Sequence, residues 1–187
     1  TSLLRELSGR QSNILDGHIR SVNVAVFSNN GNYAVTGSDD MTIKTWDSKT
    51  GRLISTIDIG SPVTSLAISP DDKMMVASSK DGSLRVFSIT NGNVALQDSL
   101  TYKGAYARFV TYNTSGSEII ACYTSGDLLV CKSPNISFFK TIKTNKKGVV
   151  CIAFDKDGQR MALAGTDNRI EIWDAKQLTS IYTLQEH

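Results

Sequence analysis

Histidine and cysteine are scarce in this chain. Of 187 residues only His18 and His187 are histidine, and only Cys122, Cys131 and Cys151 are cysteine. With two imidazoles, a Ser-His or Cys-His nucleophile pair has almost no base to draw on. The odd cysteine set contains no C-x-x-C pair, so neither a closed disulfide framework nor a zinc knuckle is implied, and a reducing compartment fits best. Long apolar runs are missing as well. No stretch approaches the roughly 18 consecutive apolar residues of a membrane-spanning helix. Residues 1–15, TSLLRELSGRQSNIL, lack the basic start and apolar block of a secretory leader. These absences predict an intracellular chain, cytoplasmic or nuclear, with no membrane contact. Two sequons, Asn113-Thr114-Ser115 and Asn135-Ile136-Ser137, would matter only on a secretory route.

An excess of one charge is also absent. Lys and Arg number 20 against 18 Asp and Glu, a net charge of +2, so no global field pulls the chain toward nucleic acid or an anionic surface. The glycine-containing stretches GSDD, DGS and TSGD read as β-turns, since no GK[ST] follows to cradle a phosphate. The paired carboxylates Asp39-Asp40 and Asp71-Asp72 fall in turns, where bonding to nearby backbone explains them. Catalysis, a metal, a cofactor and a small-molecule substrate are therefore not expected. A hydrophobic content of 40% is enough for a folded core.

What is present is a repeat. Placing His18 over Ile59, Lys103 and Asn145 aligns four segments without a gap for 30 residues, at spacings of 41, 44 and 42. Each unit begins with an apolar run: Val22 to Phe27, Val63 to Ile68, Phe109 and Val110, or Val149 to Phe154. A polar turn follows (SNNGN, SPDDK, NTSGS, DKDGQ), then a second strand (YAVTGS, MMVASS, EIIACY, RMALAG) and another tight turn. A third strand (TIKTWD, LRVFS, LLVCK, IEIWD) and a weaker fourth, such as RLISTID or SFFKTIK, complete the unit. Short strands at this spacing with turn signals between them mean antiparallel all-β structure. Apolar residues lie on both faces of the first and third strands, so each sheet needs a neighbour on either side. A period of roughly 40 to 45 residues with four strands per unit is the pattern of a β-propeller.

Over residues 12–187 the sequence resembles the WD40 repeat family. The resemblance rests on Gly17-His18, FSNNG, VTGSDD and TWD in the first unit and on FDKDG, AGTDN and IWD in the fourth. It implies that a histidine, a hydroxyl residue, an aspartate and a tryptophan hydrogen-bond within a blade. Only the first unit carries all four, as His18, Thr36, Asp40 and Trp46, so His18 is expected to be structural. Elsewhere Ile59, Lys103 and Asn145 replace the histidine, Ala77, Ala121 and Leu163 the hydroxyl, and Phe87 and Cys131 two tryptophans. Asp81 and Asp167 keep the turn aspartate and Ser125 replaces it. These three units are expected to be held by apolar packing, with the third departing furthest. His187 falls where a next unit's histidine would stand.

The expected architecture is an all-β WD40-type propeller with four four-stranded antiparallel blades present out of about seven. Residues 1–11 form an N-terminal extension and 12–187 an incomplete propeller, with repeats at 16–58, 59–100, 101–143 and 144–186. Residues 12–15 are expected in the outer strand of another blade. Val149, Ile152, Phe154, Ile170 and Ile172 are expected to lie beside an absent fifth blade and to promote association of the isolated chain.

By resemblance, Ser21, Asn23, Asp39, Pro62, Thr64, Lys80, Tyr106, Arg108, Thr124, Gly148, Val150 and Thr166 point toward the face commonly used for partners. Asp39, Lys80, Tyr106 and Arg108 form the candidate protein-binding face, because aromatic residues and arginine anchor interfaces. Lys140, Lys143, Lys146 and Lys147 form a candidate nucleic-acid patch, with Phe138 or Phe139 available to stack on a base. The first functional expectation is a non-catalytic scaffold that binds other proteins of a multisubunit complex. The alternatives are a propeller subunit of an RNA-handling particle, using those lysines, and a propeller fused to an enzyme elsewhere in a longer chain.

Overall fold

The computed structural model describes residues 15–136, 138–144 and 148–184, with the side chains of Phe138 and Phe139 excepted. The expectations for residues 1–14, Lys146, Lys147 and His187 lie outside the described residues. Sixteen strands fall in chain order into four sheets. The first holds β1 (Val22–Phe27), β2 (Tyr33–Ser38), β3 (Thr42–Asp47) and β4 (Leu53–Asp58). The second holds β5 (Val63–Ile68), β6 (Met74–Ser79), β7 (Ser83–Thr90) and β8 (Asn93–Thr101). The third holds β9 (Ala107–Tyr112), β10 (Glu118–Tyr123), β11 (Asp127–Lys132) and β12 (Phe138–Lys143). The fourth holds β13 (Val149–Phe154), β14 (Arg160–Gly165), β15 (Ile170–Asp174) and β16 (Thr179–Leu184). Each sheet is a four-stranded antiparallel meander. Among the described residues no helix is long and apolar enough to cross a membrane.

The first turn of every unit is built the same way. Gly31, Asp72, Gly116 and Gly158 occupy one repeat position and all take positive φ, between 60° and 74°. Each donates its N–H to the carbonyl three residues earlier, at 2.9 to 3.1 Å. This explains the turn residues read from sequence: glycine adopts the left-handed conformation without cost, and aspartate tolerates it.

Strands β1 and β5, β5 and β9, and β9 and β13 pack against one another, whereas the outer strands meet weakly, with β4 approaching β8. Sheets that converge at their first strands and splay at their fourth are blades of a propeller. Three apolar cores fill the spaces between them. Val35, Ile43, Leu66, Met75 and Phe87 lie between the first and second blades. Val76, Val86, Tyr112, Ile119 and Tyr123 lie between the second and third. Ile120, Leu128, Ile152, Met161 and Trp173 lie between the third and fourth. Each fully buried Leu, Ile or Phe contributes about 1.5–3 kcal/mol of transfer free energy, so each core outweighs the polar contacts at its rim.

One expectation is corrected here. Val149, Ile152 and Phe154 pack against the third blade and do not share the outward face of the fourth. On that face Ile170 and Ile172 are joined through strand pairing by Leu184 and Tyr182, which are 45% and 48% exposed. The reason is register: Ile152 stands level with Leu163 and Glu171, and Phe154 with Met161 and Trp173, whereas Ile170 and Ile172 fall on the alternate positions; the bulge between Val149 and Cys151 keeps Val149 on the Ile152 face.

Candidate functional site

In the first blade Thr36 on β2, Trp46 on β3, Asp40 in the turn between them and His18 in the segment before β1 form a single chain of hydrogen bonds. Trp46 Nε1 donates to Thr36 Oγ1 at 2.8 Å, and Thr36 Oγ1 lies 2.7 Å from His18 Nε2. His18 Nδ1 lies 2.8 Å from Asp40 Oδ2. The set is satisfied when Nδ1–H donates to Asp40 and Nε2 accepts from Thr36. The His18 and Asp40 side chains are sealed from water, 5% and 2% exposed. Burial opposes ionisation of Asp40, but hydrogen bonds from Thr42 and His18 and from the Thr42 and Ile19 amides outweigh it and hold the carboxyl well below its ordinary range. Gly17 is required because a Cβ there would meet the Trp46 ring at 3.1 Å. Both ring nitrogens of His18 are committed within this chain of hydrogen bonds.

The other three blades have apolar cores in place of the four-membered chain, with separate polar contacts beside them. In the second, Ile59, Ala77 and Phe87 have moved together into the core facing the first blade. Yet Asp81 keeps a polar cluster, accepting from Ser79 Oγ at 2.6 Å and from Arg85 Nη2 at 2.8 Å. In the fourth, where Leu163 has lost the hydroxyl, Trp173 Nε1 donates to Glu171 Oε2 at 2.7 Å. Arg85 pairs across the sheet with Ala77, and Glu171 with Leu163, so the strand neighbour of the missing hydroxyl supplies the polar group. The signal was a single charge inside each apolar third strand, LRVF and IEIW. In the third blade Tyr102 donates to Asp127 at 2.9 Å.

A second feature recurs at the ends of the first strands. Pairing passes from Val22 to Val24, from Val63 to Ser65, from Ala107 to Phe109 and from Val149 to Cys151. Asn23, Thr64, Arg108 and Val150 are thus bulged residues at one repeat position, re-aimed out of the pleat. Together with Lys80 and Tyr106 they line a cavity of about 450 Å³, the mouth formed where the inner strands converge. Asn23 Nδ2 donates to Asp39 Oδ1 at 3.0 Å and to the Val63 carbonyl at 2.9 Å. Thr64 Oγ1 donates to the Ala107 carbonyl at 2.7 Å. Lys80 Nζ pairs with Asp39 at 3.1 Å. Hydrogen bonds from Asn23 and then Lys80 hold the Asp39 carboxyl below its usual range. Among the described residues, no hydrogen bond or ion pair engages the Arg108 guanidinium or the Tyr106 hydroxyl, so the candidate face gathers around a tied Asp39–Lys80 pair and an untied Tyr106 and Arg108.

The candidate lysine patch is divided. Lys140 pairs with Val130 and Lys143 with Asp127, an odd separation on both strands, so the two lysines point to opposite faces of the third blade. Both are exposed. Reactive groups are also withheld elsewhere. Burial pushes the Cys122 thiol upward and that of Cys131 up to about 11, which keeps both protonated and poorly nucleophilic near neutral pH. Among the described residues no three His, Cys, Asp or Glu side chains converge as a metal-binding set.

Comparison with known proteins adds an independent line. The profile of the family described as "WD domain, G-beta repeat" matches residues 9–47, 51–88 and 137–174, leaving β9, β10 and β11 of the third blade unmatched. The chain is 24% identical to a WD repeat-containing protein of Dictyostelium discoideum over 90% of its own length and 36% of that protein's. It is 19% identical to subunit 3 of the THO complex of Arabidopsis thaliana, over 90% of this chain and 53% of the relative. It is 21% identical to a target of rapamycin complex subunit of Schizosaccharomyces pombe, over 88% of this chain and 54% of the relative. The chain thus spans about a third to a half of the length of these relatives.

Proposed function

Because the chain belongs to the WD40 repeat family, we propose that it is a non-catalytic scaffold, a rigid set of blades whose mouth docks protein partners within a multisubunit assembly. The observation that carries this reading is the alignment of four bulges, which brings Asn23, Thr64, Arg108 and Val150 to one cavity beside Tyr106 and Lys80. The exposed Arg108 guanidinium and the Tyr106 hydroxyl, both without a protein partner among the described residues, leave this lining open to a docking residue. Two relatives are named as subunits of complexes, which supports a role in assembly. The commitment of both His18 nitrogens and the burial of Cys122 and Cys131 support a role without catalysis. The divergence of Lys140 and Lys143 favours protein over RNA as the partner.

The test is co-purification of the affinity-tagged protein with its partners, read by mass spectrometry, for the natural sequence and for the double variant Tyr106→Ala/Arg108→Ala. Loss of specific partners with unchanged folding is the expected result. An unchanged partner set refutes the mouth as the docking face, and partners released by ribonuclease point to RNA instead.

A further inference from the structure

Resting on the reading of the mouth as the docking face, we infer that it takes one carboxylate side chain of a protein partner, an aspartate or glutamate beside an apolar residue, with Arg108 as the anchor. The inference follows from an inventory of donors and charges. Asn23 directs its amide donors to Asp39 and the Val63 carbonyl. The Thr64 hydroxyl is engaged with the Ala107 carbonyl and Ser78. Lys80 is held by Asp39, so that pair is close to neutral. Of the residues lining the cavity, Arg108 is left as the one uncompensated charge, and the Tyr106 hydroxyl is the uncommitted donor beside it.

A guanidinium offers two parallel N–H groups that fit the two oxygens of a carboxylate, and the pairing is directional as well as charged. One positive charge suits a monoanion. A phosphate dianion would be only half neutralised by a single guanidinium. Val150, 37% exposed, and the ring of Tyr106 give the cavity an apolar wall, which accounts for the apolar residue next to the acid. Tyrosine is suited to this place because it covers an apolar neighbour while its hydroxyl reaches a polar one.

The full chain, labelled with nitrogen-15, would be titrated with three synthetic peptides that differ at one position: Gly-Gly-Glu-Leu-Gly-Gly, its Gln-Leu analogue and its phosphoserine-Leu analogue. The glutamate peptide is expected to shift the Arg108 Nε–H and Tyr106 amide resonances saturably, with the other two binding at least about tenfold more weakly. Arg108→Gln is expected to abolish the response without changing the melting temperature. Equal binding of the glutamate and glutamine peptides, tighter binding of the phosphopeptide, an intact response in Arg108→Gln, or no saturable response to the glutamate peptide would each overturn the inference. The docking reading is separable from it. Loss of co-purifying partners in Tyr106→Ala but not in Arg108→Gln would keep the mouth and discard the carboxylate, whereas no effect of either would discard the mouth.

Discussion

In the first blade His18, Thr36, Asp40 and Trp46 are joined by hydrogen bonds, whereas the same positions of the third hold Lys103, Ala121, Ser125 and Cys131. There Leu128, Leu129, Val130 and Cys131 are fully buried. The two blades nevertheless have the same strand order, and each carries one bulge at its inner strand and one at its outer. The shape of a blade is therefore set by the apolar pattern, the turns and the bulges, and the polar chain is one of several ways to close it. What differs is how each blade fails. A complete buried network adds little net stability but costs much when one member is removed, while an apolar core loses stability in proportion to the volume deleted.

The comparison can be broken at four places. Leu128→Ala empties part of the core between the third and fourth blades and is expected to destabilise by about 2–5 kcal/mol in urea unfolding. Thr36→Val preserves shape in the first blade but orphans the Trp46 N–H and a His18 nitrogen, at about 1–3 kcal/mol for each unsatisfied group. A loss below that of an ordinary surface substitution would show that the polar chain is dispensable.

Asp40→Asn comes next, with an expected cost of about 1.5–3 kcal/mol at neutral pH from weakening hydrogen bonds to a charged acceptor. The folded-state pKa of Asp40 is depressed, so its contribution is full above the unfolded value of about 3.9 and is lost as pH falls through the folded one. The gap between natural and Asp40→Asn stability should therefore close as the pH is lowered below about 4, a trend visible in denaturation curves taken across the acid range. The smallest effect belongs to Arg108→Gln, whose side chain is exposed and engages no partner among the described residues; its stability should stay within about 0.5 kcal/mol of the natural protein.

Much of this fold was legible because its signals are local. The runs YAVTGS, MMVASS, EIIACY and RMALAG are β2, β6, β10 and β14, since turn signals on either side define both ends of such short strands. Strand β8 lacked a clean apolar pattern because it is an outer strand, mostly exposed. The bulges left no mark in the sequence, as Asn23, Thr64, Arg108 and Val150 share no side-chain chemistry. The mouth residues were therefore named only through the family resemblance, and the misplacement of Val149, Ile152 and Phe154 came from the register of β13 with β15 across β14, which no single strand displays. The roles of Arg85 and Glu171 were hidden for another reason: compensation came from across the sheet, at positions the family pattern leaves open.

The central claim is that the bulged mouth binds while the buried polar chain only holds. Its most direct test is partner co-purification per folded molecule, measured side by side for Arg108→Glu and Thr36→Val. The account predicts that Arg108→Glu loses its partners at an unchanged melting temperature, while Thr36→Val melts earlier and retains them. Partner loss in Thr36→Val while still folded, with Arg108→Glu unaffected, would contradict it.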